Sequence, residues 1–231
     1  MTAIENNIAN LRKRILNGVA QSDRNIRDLS LLAVSKTKSA EDIRLATNCG
    51  IFSFAENYLQ EALEKIALLE SLPIEWHFIG PLQSNKTKSV AENFGWVHSV
   101  DRLKIAQRLS DQRPDHLGPL NICLQVNLDN EISKSGVPVA DAQHLAEAVS
   151  QLANLKLRGL MAIPKARETI DQQRAPFKQL RQLKDQINRQ LDNSKKLDTL
   201  SMGMSADLEA AIFEGSTILR VGTDIFGKRN T

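Results

Sequence analysis

The residues with the clearest capacity for chemistry are Lys36 and Arg220, and each stands at the end of a short apolar run. Lys36 closes the segment "LLAVSK", and Arg220 lies within "TILRVG". An amine that is partly removed from water and placed near a second cation favours its neutral form, and a neutral amine is a nucleophile. Its usual target is a carbonyl, on a substrate or on a carbonyl-bearing cofactor. Position alone leaves a second interpretation open, in which Lys36 is a fixed charge that binds an anion.

Two later segments combine small, hydroxyl and glycine residues of the kind that bind anions. They are "LSMGMSADL" and "RVGTDIFG", and each follows an apolar run. Glycine lets backbone N–H groups approach an anion, hydroxyls donate to it, and a helix N-terminus favours its charge. Each segment alone is equally typical of a turn or a helix cap. Opposite an inward-facing lysine, the two together predict a phosphate site.

A regular alternation of short apolar runs and longer segments of helical period carries these residues. Eight runs have strand character: "LSLLAVSK", "IFSFAEN", "IEWHFIG", "WVHSV", "NICLQVN", "LKLRGLMAI", "LDTLSMG" and "TILRVG". Eight strands alternating with helices predict a single (βα)8 barrel domain over residues 1–231, whose chemistry lies at the C-terminal ends of the strands. An open doubly wound sheet is the competing fold. It normally has a glycine-rich turn after its first strand, and residues 35 to 41 contain no glycine.

Side-chain alternation predicts which way the two cations point. If Leu31, Ala33 and Ser35 pack outward against helices, then Leu32, Val34 and Lys36 point into the barrel. The same rule points Leu219 and Val221 outward and Arg220 inward. Closure makes the last strand the neighbour of the first, so we expect Lys36 and Arg220 on adjacent strands at the same end.

The helices have recognisable start and stop signals. Thr2 and Glu5 form a capping box, which predicts an additional amphipathic helix before the barrel. Ser39 is expected to start a helix that ends near Gly50. Ser84 or a neighbour and Ser205 are expected to start two more, ending near Gly95 and Gly215. The longest helix should bury one apolar face, made of Phe177, Leu180, Leu183, Ile187 and Leu191.

The composition is that of an ordinary globular protein, with 42% hydrophobic residues, 25% charged residues and a net charge of +3. Acids and bases are interspersed, so we expect no nucleic-acid partner. Cys49 and Cys123 are too few for a disulfide scaffold and predict two buried, reduced thiols. No apolar stretch approaches the ~18 residues of a membrane span. We therefore expect a cytoplasmic protein without a membrane partner.

Eight sequence blocks, taken in order, resemble one known family. They are "AVSKTK", "FAENY", "WHFIGPLQSNK", "VHSVD", "QVNLDNEISKSG", "GLMAIP", "LSMGMSADLEAAI" and "GSTILRVGTDIFG". The chain resembles, essentially from end to end, the pyridoxal phosphate homeostasis proteins (the YggS/PROSC-like group). Their single barrel is similar to the N-terminal domain of alanine racemase, in the fold-type III class of pyridoxal phosphate proteins. The resemblance implies the same barrel here, with no C-terminal β-domain.

The resemblance also implies a cofactor, pyridoxal 5'-phosphate, and a set of residues that bind it. Lys36 would form the internal aldimine, and Arg220 would face the pyridine nitrogen. Asn57 and Met161 would line the ring. The phosphate group would be held by Ser201, Gly222, Thr223 and backbone N–H groups such as that of Gly203. No catalytic residue and no metal are implied.

What the resemblance implies about function is a carrier that holds and delivers the cofactor within the cell. Arginine cannot give up its proton, so a pyridine nitrogen facing Arg220 stays unprotonated and the cofactor is a weaker electron sink. Racemisation also needs proton transfer on both faces of the substrate carbon, and the chain contains one tyrosine, Tyr58. A racemase-like enzyme and a Schiff-base lysine aldolase remain the alternatives. Apo-enzymes that use the cofactor would be partners, and a monomer is expected.

Several other polar residues are weaker candidates. His77 and His98 lie on buried strands, where a structural role is the commoner one, and the four histidines have no metal-ligand spacing. Lys38, Lys86 and Lys134 are expected near the barrel mouth, as solvated charges or as a relay for the aldehyde. One departure from the family pattern is Ala55 in "FAEN", where glycine is expected. Its methyl group puts the Asn57 contact in question.

Overall fold

The computed structural model describes residues 2–129, 131 and 135–228 of the chain. Parallel strands form its centre: β1 (Ser30–Val34), β2 (Ser53–Glu56), β3 (Glu75–Phe78), β4 (Trp96–Val100), β5 (Leu120–Asn127), β6 (Val137–Pro138), β7 (Leu155–Met161), β8 (Thr199–Ser201) and β9 (Ile218–Val221). Strands β1 to β5 pair in sequence, β5 also pairs with β7, β7 pairs with β8, β8 with β9, and β9 with β1. The two-residue strand β6 pairs only with the end of β5. The remaining eight strands therefore close into the predicted barrel, and the open doubly wound sheet is excluded.

Helices cover the outside of the barrel. They are α1 (Ala3–Ala20), α2 (Ala40–Asn48), α3 (Leu59–Leu68), α4 (Thr87–Asn93), α5 (Leu103–Gln112), α6 (Ala142–Val149), α7 (Ile170–Gln190), α8 (Leu208–Phe213) and α9 (Thr223–Phe226). The predicted capping box of Thr2 and Glu5 starts α1, and Ser39 caps α2 through a second box with Asp42. The predicted apolar face of α7 is buried. Within the described residues, no helix is both long and apolar enough to cross a membrane.

Two helices begin slightly later than predicted. Helix α4, predicted to start at Ser84 or a neighbour, begins at Thr87 with Lys86 as its N-cap, because residues 84 to 86 form a turn in which Thr87 donates to the Ser84 carbonyl. Helix α8 begins at Leu208, with Asp207 as its N-cap, and not at Ser205. Here the Asp207 carboxylate accepts from the backbone N–H of Met204, and this bond closes a turn before the helix.

Buried side chains form two separate layers, one inside the barrel and one between barrel and helices. The interior layer consists of Leu32, Ala55, Trp96, Cys123, Met161 and Ile218, with Val34 and Ile79 packed against it. Ala33, Leu219 and Val221 belong to the outer layer. The predicted alternation in β1 and β9 is therefore confirmed. Cys123 is a buried free thiol, as predicted, whereas Cys49 is free but only half-buried.

Candidate functional site

A cavity of about 320 Å³ opens at the C-terminal ends of the strands, where a barrel of this kind concentrates its chemistry. Its size is that of a small-molecule site. Residues that follow β1, β2, β3, β7, β8 and β9 line it together with Val34 and Arg220: Lys36, Lys38, Asn57, Ile79, Ile163, Met204, Ser205, Ala206, Gly222, Thr223 and Gly227. Lys36 and Arg220 thus share one cavity, as side-chain alternation predicts.

The turn that presents Lys36 is tied to the outside of the barrel. The Ser35 hydroxyl donates to Glu56 Oε1 at 2.7 Å, and the Lys65 ammonium donates to the Ser35 carbonyl at 2.7 Å. Lys65 also donates to Glu56 Oε1 at 2.8 Å and to Glu61 Oε1 at 2.6 Å. Glu61 in turn accepts from the N–H of Thr37, whose φ of +63° is in the left-handed region. Residues on both sides of Lys36 are therefore held in place, and the half-buried lysine points the other way, into the cavity.

Glu56 is a fully buried carboxylate in this network. Desolvation raises its pKa, and the hydrogen bond and charge of Lys65 oppose that rise. Its second oxygen, Oε2, has no hydrogen-bond partner among the described residues. Glu56 therefore joins the network through one carboxylate oxygen, which accepts from Ser35 and from Lys65.

Arg220 forms the floor of the cavity. One of its terminal nitrogens, Nη1, donates to the carbonyl of Ser201 and to its hydroxyl, the latter at 2.8 Å. The other, Nη2, donates to the Ala162 carbonyl at 2.9 Å. Burial lowers the pKa of Arg220 to about 10, and Asp207 and Cys123 oppose the shift, so the group stays a cation at neutral pH. These bonds use three of the five N–H groups of a guanidinium, and two remain uncommitted to the described residues.

Asn57 borders the cavity from the end of β2. Its side-chain oxygen, Oδ1, is buried and has no hydrogen-bond partner among the described residues. Its backbone lies against Gly80, where a Cβ would stand 2.0 Å from the Asn57 carbonyl oxygen. Ser99 donates to the Gly80 carbonyl at 2.5 Å. Close backbone contact therefore fixes this wall, and the described residues supply no donor to its buried acceptor, Asn57 Oδ1.

The opposite wall is formed by the segments after β8 and β9. Ser205, Gly222 and Thr223 line it, and Gly222 approaches the first strand so closely that a Cβ would stand 3.1 Å from the Val34 carbonyl oxygen. Arg14 of α1 holds this wall from outside. It donates to the Ser205 carbonyl at 3.2 Å and pairs with Glu209 and Asp224.

Comparison with known proteins gives these features a context. The family described as "Alanine racemase, N-terminal domain" matches residues 1–230. A "Pyridoxal phosphate homeostasis protein" of Pseudomonas aeruginosa is 56% identical over 230 residues, which is 100% of this chain and 97% of that protein. The chain belongs to the pyridoxal phosphate homeostasis protein family.

Two solved structures extend the comparison to three dimensions. PipY of Synechococcus elongatus PCC7942, with PLP bound, is similar at a TM-score of 0.85 and 37% sequence identity, covering 97% of this chain and 100% of that one. The alanine racemase of Corynebacterium glutamicum has a TM-score of 0.69 and 13% identity, and the match covers 99% of this chain and 61% of the racemase. At that identity the racemase is evidence for the fold alone. The alanine racemase-like barrel of this homeostasis family member is thus confirmed.

The structure brings together five of the eight residues predicted to bind the cofactor: Lys36, Asn57, Arg220, Gly222 and Thr223. The other three lie beneath or behind the cavity. Met161 is fully buried in the interior layer, and Ser201 is fully buried with its hydroxyl bound to Arg220. Gly203, at φ +93°, accepts from the Arg220 N–H through its carbonyl. Their contacts with the cofactor stay predictions.

Sequence reasoning missed the apolar lining residues Ile79 and Ile163, and it placed Met204, Ser205 and Ala206 in the anion-binding segment "LSMGMSADL" without naming them as cofactor-binding residues. A usable signal existed for Ser205. The helix starts later than predicted, and its preceding turn therefore faces the cavity. For Ile163 the signal was weak, because an isolated apolar residue after a strand also fits ordinary packing.

The remaining candidates are distributed around the mouth. The Lys38 ammonium lines the cavity and donates to the carbonyls of Phe226 at 3.1 Å and Lys228 at 3.4 Å. Lys86 is exposed and does not line the cavity, whereas Lys134 lies outside the described residues. Ala55 is fully buried in the interior layer, and its effect on Asn57 stays a prediction.

Proposed function

We propose that this chain binds pyridoxal 5'-phosphate in the barrel mouth and holds it for delivery within the cell, without turning over a substrate. The observation that carries the proposal is that Lys36 and Arg220, from neighbouring strands, line one cavity of small-molecule size. The family name of its relatives and the PLP-bound state of PipY support it.

The residues present fit the cofactor chemically. The buried acceptor of Asn57 and the two uncommitted N–H groups of Arg220 are polar groups that a bound ligand would satisfy. We assign to Lys36 the Schiff base, in which its amine nitrogen bonds to the aldehyde carbon and the aldehyde oxygen leaves as water. Arg220 would donate to the pyridine nitrogen. Gly222, Thr223 and Ser205, on the opposite wall, would bind the phosphate.

Two features favour holding over catalysis. When bound, the cofactor supplies an electron sink, and an arginine at the ring nitrogen makes that sink weak because it donates a hydrogen bond without transferring the proton. The single tyrosine, Tyr58, has 55% of its surface exposed and does not line the cavity, so it is not placed as a second acid or base. We further propose that the protein is a cytoplasmic monomer and that apo-enzymes requiring pyridoxal phosphate receive the cofactor.

Absorption spectroscopy tests the covalent link. Protein incubated with pyridoxal phosphate and desalted should show a visible imine band, and Lys36→Ala should lose it. The matched control is Lys86→Ala, because Lys86 is exposed and outside the cavity. Wild-type protein that stays colourless and cannot be charged with the cofactor would refute the proposed function.

An exchange assay separates a carrier from an enzyme. Charged protein incubated with several L-amino acids in deuterated water should give no more exchange at the α-carbon than free pyridoxal phosphate. Saturable exchange that Lys36→Ala abolishes would instead establish a racemase-like enzyme. The aldolase alternative would be established if the protein is colourless and borohydride reduces an imine between Lys36 and an added carbonyl substrate to a stable secondary amine.

A further inference from the structure

A continuous line of hydrogen bonds crosses the barrel interior from the cavity floor to the opposite end. Arg220 donates to the Ser201 hydroxyl at 2.8 Å, and that hydroxyl lies 2.8 Å from His98 Nδ1. His98 Nε2 is 2.9 Å from His77 Nδ1, and His77 Nε2 is 3.0 Å from Glu75 Oε2. Arg220, Ser201, His98 and His77 are at most 3% exposed, whereas the Glu75 side chain is 51% exposed. The line therefore joins a buried cation to a carboxylate at the other barrel mouth.

The two ends of this line and the neutral state of its histidines fix the direction of every bond. Arginine can only donate, and an ionised carboxylate can only accept, so His77 donates through Nε2 to Glu75. Burial lowers the pKa of His77 and lowers that of His98 further, where the Arg220 charge adds to the effect, so both rings are neutral. A neutral His77 must accept at Nδ1. His98 therefore donates through Nε2 and accepts at Nδ1 from the Ser201 hydroxyl, and each ring is in a single tautomer.

Neighbouring groups hold the far end of the line in one arrangement. The Trp96 ring stacks on His77 with centroids 5.4 Å apart and an interplanar angle of 8°. Its Nε1–H donates to the other carboxylate oxygen of Glu75 at 3.2 Å. Arg158 lies over the same indole at 4.9 Å and forms a bidentate pair with Asp198. These contacts fix the orientation of the His77 ring and the position of the Glu75 carboxylate relative to each other.

We propose that His77 and His98 are positioning residues. They transmit the polarisation caused by the Glu75 carboxylate to Arg220 and so fix which guanidinium N–H groups face the bound cofactor. Hydrogen bonds aligned in one direction polarise one another, and an ionised group at each end strengthens the effect. At its Arg220 end, the line engages Nη1, which donates to the Ser201 hydroxyl on the side away from the cavity. The N–H groups that remain are then presented to the ring nitrogen in one orientation. This role rests on the proposed function, because it concerns the arginine that would contact the cofactor.

The test compares two carboxylates at the same end of the barrel. Glu75→Gln removes the charge that ends the line, and Asp28→Asn removes an exposed charge just before β1 that lies outside it. We expect Glu75→Gln to weaken pyridoxal phosphate binding by about three- to ten-fold and to shift the imine absorption band, as partial loss of a charge-assisted hydrogen bond would do. Asp28→Asn should leave both unchanged. His98→Asn, which keeps an acceptor for Ser201 but cannot reach His77, should behave like Glu75→Gln.

A measurement on the apo-protein keeps this inference separate from the proposed function. Nitrogen-15 NMR should report both histidines as neutral and in the assigned tautomers, and Glu75→Gln should shift the Arg220 guanidinium N–H resonances. If wild-type protein does not bind pyridoxal phosphate, the proposed function fails while these resonances still test the line. Different tautomers, or Arg220 resonances that Glu75→Gln leaves in place, would overturn the inference. Unchanged affinity and spectrum in a folded Glu75→Gln protein would overturn it as well.

Discussion

Among single residues, Lys65 holds the Lys36 turn in place without lining the cavity. It is 5% exposed and donates to a backbone carbonyl and to two carboxylates beside the Lys36 turn. A buried ion pair contributes little net stability relative to apolar residues, but removing one partner leaves the other charge uncompensated. Lys65 therefore matters most for the geometry that it enforces around Ser35 and Thr37.

We expect Lys65→Met to lower the free energy of unfolding by about 3 kcal/mol, because Glu56 and Glu61 lose their cation. Urea unfolding monitored by circular dichroism measures this change. The matched control is Lys88→Met, because Lys88 pairs with Glu92 at 3.8 Å with a side chain 71% exposed. An exposed pair four residues apart on a helix contributes about 0.3–0.5 kcal/mol. Equal unfolding midpoints for the two variants would show that the Lys65 network is not needed for stability.

At the scale of elements, the cavity depends on the end of β2 and the end of β3 touching through their backbones. Gly80, just after β3, has room for no side chain, because a Cβ would stand 2.0 Å from the Asn57 carbonyl oxygen and 2.7 Å from its carbon. Neither atom belongs to a flexible side chain. Any substitution at Gly80 must therefore move the wall that contains the buried Asn57 acceptor.

We expect Gly80→Ala to destabilise the protein by about 2 kcal/mol, as overpacking typically does, and to weaken pyridoxal phosphate binding. Thermal unfolding and a cofactor titration measure the two effects. Gly95→Ala is the control, since its added Cβ would meet its nearest neighbour, Glu75 Cγ, at 3.5 Å, an ordinary contact. Should Gly80→Ala bind the cofactor as tightly as Gly95→Ala does, the rigid wall would have no role in binding.

At the scale of the whole molecule, the buried histidines couple stability to pH. Desolvation lowers the folded-state pKa of His77 and His98, so in the unfolded chain both rings take up protons at a higher pH. Stability is therefore full above pH ~6.5 and falls below it, by at most ~1.4 kcal/mol per pH unit for each ring.

Urea unfolding of wild-type protein at pH 7.5, 6.5 and 5.5 should show this loss, and His98→Asn should show a smaller one. Desolvation raises the pKa of Glu56 and of Asp207, which acts in the opposite direction. Both carboxylates are present in the variant too, so the difference between the two proteins isolates the histidine. Parallel pH profiles would contradict the assignment of neutral His98.

The barrel and its central pair of cations could be predicted from the sequence because both follow from short-range rules. Strand alternation has a period of two, and closure of the barrel makes β9 the neighbour of β1. The exact starts of α4 and α8 could not be predicted, because local turns at Ser84 and Asp207 compete with the first turn of each helix. The line through His77 and His98 was also beyond reach, because it joins side chains on four strands. No spacing along the chain marks those contacts.

Pairing of β1 with β9 also has a consequence for how the protein is made. Leu32 lies in register with Arg220, so the strands that bring Lys36 and Arg220 into one cavity are almost 190 residues apart in the chain. A ribosome releases Lys36 long before its neighbours across this seam. A nascent chain that lacks β9 has an incomplete cavity. Cofactor capture is therefore expected only after β9 has emerged.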